Sequence, residues 1–248
     1  KKINLKCSSV MFSGEKAEEE NRWKEIMDSF NNSIRFMNNL NTFMLKDLEL
    51  TAEEFKKLIP KLKEIRGLTS LTMEGHKIGA LPPEIAELTG LKRLNLRSNE
   101  LTTVPQELGK LSSLEFLELS GNELTEVPRE LNQLSNLIKL GLAHNSLTTV
   151  PLEVVALPNL RQLYINENCI APADFGRIEN TLKRHGGEIM PRPQLTTANT
   201  EPNSPNPVDL SSVRFTTSGI DPAAAAAALR DLEPAPRTTN TPPRRPSR

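Results

Sequence analysis

From Leu68 to Ile170 the hydrophobic positions of the chain return with a fixed step of 23 residues. LTSLTMEGHKIGALPPEIAELTG runs from Leu68 to Gly90, LKRLNLRSNELTTVPQELGKLSS from Leu91 to Ser113, and LEFLELSGNELTEVPRELNQLSN from Leu114 to Asn136. LIKLGLAHNSLTTVPLEVVALPN follows from Leu137 to Asn159, and LRQLYINENCI opens a fifth copy at Leu160. The pattern LxxLxLxxNxL fits all five in phase, with Met73, His76, Ile78, Ile165 and Ile170 as substitutions. Self-similarity at a step of this length marks a chain built from stacked repeats that each contact only their neighbours.

The alternation inside each LxL predicts a short strand with its leucines inward and its neighbours outward. Leu94 and Leu96 point in while Asn95 points out; Leu117 and Leu119 point in while Glu118 points out. Stacked copies then form a parallel sheet in which each repeat covers the leucines of the next. Asn99, Asn122, Asn145 and Asn168 recur at the turn after the strand. An amide there is suited to satisfying backbone groups left open where the strand ends, copy after copy, so these residues read as framework, with His76 as an edge variant. Leu81-Pro82-Ile85, Val104-Pro105-Leu108, Val127-Pro128-Leu131 and Val150-Pro151-Val154 form the return segment. Its prolines suit the first turn of short helical stretches such as Gln106 to Leu111, where no hydrogen bond is lost.

The flanks break the rhythm in ways that predict caps. Residues 1 to 15 have no clear period; Ile3 and Leu5 are compatible with a brief strand or with a loose leader. From Lys16 to Asn38 the residues Trp23, Ile26, Met27, Phe30, Ile34 and Met37 form one apolar stripe at helical spacing. This predicts a helix that closes the N-terminal end of the array, residues 1–39 forming leader and cap. Glu18, Glu19, Glu20, Glu25 and Asp28 on its polar side argue against an anionic membrane surface. Residues 40–67 read as an atypical first repeat. Leu40, Phe43, Leu45, Leu48 and Leu50 occupy its strand region. A helix is predicted from Ala52 to Ile65, with Thr51 as its cap and Glu54 three residues on. The regular array covers 68–171. A closing helix is predicted from Pro172 to Arg184, ended by Gly186 and Gly187, so that residues 172–190 cap the C-terminal end. Residues 191–248 are rich in Pro, Thr, Ser and Asn and are expected to lack order. One predicted helix, Ala223 to Leu232 after Asp221-Pro222, is the exception.

This pattern resembles the 23-residue class of leucine-rich repeats found in scaffold proteins of the Ras-suppressor type and in many bacterial proteins, including effectors. It differs from the 20-residue repeat of the enteric-pathogen ubiquitin-ligase effectors, and no ubiquitin-ligase domain follows the repeats. The resemblance covers about Leu40 to His185. It implies an α/β leucine-rich-repeat solenoid, a short curved parallel sheet with an N-terminal helical cap and a disordered C-terminal tail. It also implies a protein-interaction role. Two settings suit that role, a cytoplasmic scaffold or an effector delivered into a host cell.

Composition narrows the partner classes. The chain has 31 basic and 31 acidic residues, so no net charge draws it to nucleic acid or to an anionic membrane. Aromatics are only 4% of its 248 residues, which a core of stacked leucines tolerates and a single globular core rarely would. Eleven of the 19 prolines lie between Pro191 and Pro246, which sets the tail apart from the array. Cys7 and Cys169 are too far apart for a CxxC motif and too few for a disulfide framework. No apolar run reaches the ~20 residues that span a bilayer. The chain starts at Lys1 rather than at a methionine, which leaves open whether a leader preceded it. Catalysis finds little support. His76, His144 and His185 are dispersed, and there is no phosphate loop and no nucleophile elbow. His144 and Glu167 share one repeat position in adjacent copies, within hydrogen-bond reach but without an evident nucleophile. No cofactor and no metal site is expected.

The outward positions of the strands define the expected binding face. Row by row they are Ser70, Thr72, Glu74; Arg93, Asn95, Arg97; Phe116, Glu118, Ser120; Lys139, Gly141, Ala143; and Gln162, Tyr164, Asn166. The fold does not dictate these residues. Aromatics and arginine anchor many protein interfaces, and Gly141 and Ala143 are expected to leave a shallow depression between Phe116 and Tyr164. Arg93, Asn95, Arg97, Phe116, Glu118, Lys139, Gln162 and Tyr164 are therefore the candidate contacts to a protein partner. Glu74, Glu118 and Glu167 interrupt the basic residues and argue against nucleic acid. The alternative site is the tail, whose Arg237, Arg244, Arg245 and Arg248 lie in a stretch without acids.

Overall fold

A computed structural model describes residues 40–190 apart from Leu48, together with the backbone strands β1 (Ser9–Ser13), β9 (Val208–Asp209), β10 (Phe215–Thr216) and β11 (Gly219–Ile220). The expected N-terminal helix from Lys16 to Asn38 lies outside the described residues, as does the expected helix from Ala223 to Leu232.

Each repeat contributes one strand. These are β2 (Thr42–Lys46), β3 (Ser70–Glu74), β4 (Arg93–Asn95), β5 (Phe116–Glu118), β6 (Lys139–Gly141), β7 (Gln162–Tyr164) and β8 (Glu188–Ile189). All seven pair in parallel and in sequence order. At the β2 edge the sheet continues through β1, parallel to β2, and then β9. The sequence predicts nothing at β9, β10 or β11, because two-residue strands are too short for alternation to show.

The register follows the 23-residue step. Leu71, Leu94, Leu117, Leu140 and Leu163 stand opposite one another on successive strands, and each is at most 1% exposed. Together with Leu96, Leu119, Leu142 and the return-segment residues Ile85, Leu108, Leu131 and Val154 they form one continuous apolar core. Opposite the sheet lie short 3-10 helices at Pro83–Glu87, Gln106–Lys110 and Arg129–Gln133, then helix α2 (Leu152–Val155) in the fourth repeat. The prolines sit one position earlier than the first-turn placement expected. Pro105, Pro128 and Pro151 are N-cap residues, and only the first regular repeat, with Pro82 and Pro83, also has one inside the turn. No hydrogen bond is lost at the cap either, since its N–H has no intrahelical partner.

The first and last described repeats carry longer helices where the others have short turns. Helix α1 (Ala52–Lys63) starts with a capping box in which Thr51 and Glu54 satisfy each other's backbone, and it buries Phe55, Leu58, Ile59 and Leu62. Helix α3 (Pro172–Arg184) buries Ile178 and Leu182. Gly186 ends it at φ 75°, and the N–H of Gly187 reaches back to the carbonyl of Leu182.

The asparagines form a ladder through the core. Nδ2 of Asn99, Asn122, Asn145 and Asn168 donates to the carbonyls of Met73, Leu96, Leu119 and Leu142 respectively, each in the preceding repeat. Oδ1 of Asn122, Asn145 and Asn168 accepts the N–H of Leu101, Leu124 and Leu147. His76 substitutes at the first rung: its Nε2 lies 3.2 Å from the Leu45 carbonyl, the matching group of the repeat before. Burial pushes the His76 imidazole down to about 4, the hydrogen bond to the Leu45 carbonyl and then the nearby carboxylates offsetting only part of that effect.

Candidate functional site

The parallel register turns the outward positions into columns across the sheet. Ser70, Arg93, Phe116, Lys139, Gln162 and Glu188 form the first, and Thr72, Asn95, Glu118, Gly141 and Tyr164 the second. The third, with Ser120, Ala143 and Asn166, lies just past the strands, where the N–H of Ser98, Gly121 and His144 bonds to their carbonyls. Arg97 precedes Ser98 on the same segment. All eight candidate contacts thus share one face over β4 to β7.

Within this face the cations lie over rings of the next repeat. The Arg93 guanidinium carbon is 4.5 Å from the centroid of Phe116, and Lys139 Nζ is 4.8 Å from that of Tyr164. Such contacts are each worth about 0.5–2 kcal/mol depending on exposure. Here they also fix where the charged groups stand. The sequence signal for them is a cation whose counterpart in the next repeat is aromatic, in the same column for Arg93 and one column over for Lys139.

The second column is tied down by its own backbone. Asn95 Oδ1 accepts the N–H of Arg97, and Glu118 Oε1 accepts that of Ser120, both at 3.0 Å. A Cβ at position 141 would collide with the Glu118 carboxylate, so the glycine lets Glu118 lie across the strand beside it. The depression expected at Gly141 and Ala143 is therefore filled by Glu118. Ala143 and Ser120 are fully buried, and Ser120 Oγ accepts the N–H of Ala143.

Tyr164 also departs from expectation. Its outward strand position predicts a solvent-facing anchor, yet it is only 7% exposed. Burial, and then the carboxylates of Glu118 and Glu188, raise its phenol above the usual tyrosine range. Its register partner on β6 is Gly141, and alternation along the strand does not reveal the burial of the ring. Phe116, by contrast, stays partly exposed, as do Arg93, Arg97, Lys139 and Gln162.

His144 and Glu167 do meet, with Nδ1 and Oε2 2.8 Å apart. Both hold left-handed backbone, φ 53° and 56°, at the repeat position that Gly75 and Gly121 fill elsewhere. Among the described residues no group of three or more His, Cys, Asp or Glu is placed to hold a metal ion. No described helix is long and apolar enough to cross a membrane.

Comparison with known proteins agrees with this architecture. Residues 66–124 match the family model for a leucine rich repeat, and residues 135–176 match that for leucine rich repeats in two copies. No curated protein matches the chain. Among solved structures, a leucine-rich-repeat protein of Leptospira interrogans is 26% identical, with a TM-score of 0.47 over 64% of this chain and 50% of that one. An internalin of Listeria monocytogenes is 19% identical, with a TM-score of 0.48 over 64% of this chain and 46% of that one. The leucine-rich-repeat ectodomain of an Arabidopsis thaliana membrane receptor kinase, solved in complex with Casparian strip integrity factor 2, is 28% identical, with a TM-score of 0.45 over 57% of this chain and 17% of that one. The aligned part spans about half the length of the two bacterial proteins. With one strand per 23-residue copy, an asparagine ladder and two family-model matches in the array, the chain is a leucine-rich-repeat protein.

Proposed function

We propose that the chain is a protein-binding module that holds its partner on the concave sheet face around Arg93, Arg97, Phe116 and Lys139. The observation that carries this reading is Phe116. It is a large apolar side chain left partly exposed in the middle of a rigid sheet, between two cations of the same column, at a position the repeat does not require to be apolar. Preorganised side chains of this kind lose little entropy when a partner docks, and aromatic and arginine residues are frequent energetic centres of interfaces. Tyr164 contributes by holding Lys139 in place rather than by direct contact, since little of it is exposed.

The test is affinity capture with three baits: the full chain, a chain ending at Met190 so that β8 is kept, and the full chain carrying Arg97→Ala and Phe116→Ala. The first two are expected to retain the same partner and the third to lose it while keeping the thermal melt of the parent. Loss only on removing residues 191–248 would assign binding to the tail. Retention by the folded double variant would place it elsewhere on the solenoid.

A further inference from the structure

The ladder has one rung that can take up a proton. From Asn99 to Asn168 its rungs are amides, which do not titrate. The rung between the first two described repeats is His76, an imidazole that is only 2% exposed. Its Nε2 donates to the Leu45 carbonyl, across the joint between residues 40–67 and 68–90. Leu45 and Met73, register partners on the two strands of that joint, are fully buried. An imidazolium here would place a full charge inside the core, where charge is costly.

Charged groups face the ring from each element around it. Asp47 follows β2, Glu54 lies on α1 and Glu74 ends β3. All three favour the imidazolium, but less than burial opposes it. Two of them are already engaged, Glu74 by Lys46 at 2.9 Å and Glu54 by the Thr51 N–H at 2.8 Å. The exposed side of the joint is held by further ion pairs, Lys56 with Glu84 at 2.8 Å, Lys63 with Glu87 at 3.0 Å and Lys77 with Glu49 at 3.4 Å. Pairs of this kind weaken as salt rises.

In a stacked array each repeat is held by its neighbours alone. An end repeat can therefore part from the array by breaking one joint, whereas an inner repeat must break two. We propose that the joint at His76 is an acid-operated hinge: protonation of the imidazole releases residues 40–67 from the array and leaves the repeats from Leu68 onward folded. Burial holds the ring at about 4 in the closed form against 6.5 when exposed, so the open form takes up the proton first as pH falls through this window. Opening bares the N–H and C=O groups along the β3 edge, which can then pair with another strand.

The experiment is hydrogen exchange of the full-length protein read by mass spectrometry at pH 7.5 and 5.0, each scaled to unstructured reference peptides. Amides of β2 and β3 are expected to lose protection about tenfold or more at the lower pH, and those of β5 and β6 to change by less than about twofold. His76→Asn, which puts the ladder's own amide at the rung, is expected to abolish the acid effect. It should keep the loss of β2 and β3 protection that 300 mM salt causes by screening the ion pairs. If that variant melts below the parent at pH 7.5, His76→Gln serves instead. An equal acid loss in the variant would assign the effect to carboxylates such as Asp47 and Glu74 and overturn the proposal. Loss spread evenly over all strands, which is global unfolding, would overturn it too, as would unchanged protection in the parent.

Discussion

The side-chain amide of Asn122 donates to the carbonyls of Leu96 and Leu119 and accepts the N–H of Asn99 and Leu101. Four backbone groups near the core thus depend on one residue. Asn122→Ala is expected to cost about 3 kcal/mol or more in urea unfolding, because a buried polar group left unpaired costs about 1–3 kcal/mol. Asn99→Ala should cost less: its amide donates to Met73 and Arg97, but its Oδ1 has no hydrogen-bond partner. His76 gives the ladder a pH dependence. Its folded-state value of about 4 lies below the unfolded value of 6.5, so the unfolded chain takes up a proton first as pH falls. The stability tied to neutral His76 is fully present above pH 6.5 and is lost between there and about pH 4, to a total of about 3 kcal/mol. Urea unfolding at pH 7 and pH 4.5 should show a smaller difference for His76→Asn than for the parent. An equal difference would mean that the imidazole is not held neutral by the fold.

Among the elements, strands and caps were legible in the sequence for different reasons. The strands were legible because a one-residue slip would turn every leucine of an LxL outward, so period and register are the same information. The capping box of α1 was legible because Thr51 and Glu54 stand at the required spacing. The return segments were less so, since a five-residue apolar-and-proline stretch fits a 3-10 helix and the first turn of an α-helix equally well. Gly109 shows the constraint there. A Cβ on it would run into the carbonyl of Glu130 in the next repeat. Gly109→Ala therefore forces two repeats apart, with an expected loss of about 1–3 kcal/mol in denaturant unfolding. Gly176 in α3, where a Cβ meets nothing within 4 Å, is the control: Gly176→Ala should leave stability unchanged or raise it by up to about 1 kcal/mol.

At the scale of the whole molecule, the solenoid supplies a continuous parallel sheet, and the proposed binding rests on the outward residues that the repeat does not dictate. The position of the candidate face could be read from the sequence, since outward positions follow from alternation. Its relief could not. The burial of Tyr164 under Lys139 and the hold of the Ser120 N–H on Glu118 are both contacts of the folded state. The cations over Phe116 and Tyr164 have a sequence signal in the 23-residue step, but that each head lies over its ring is a contact of the folded state. The central claim, that a protein docks on this face, is tested most directly by titrating the purified captured partner against the full chain and against Arg97→Ala/Phe116→Ala by isothermal calorimetry. The account predicts a Kd at least tenfold weaker for the double variant, with an unchanged thermal melt. An unchanged Kd in a variant that melts like the parent would contradict it.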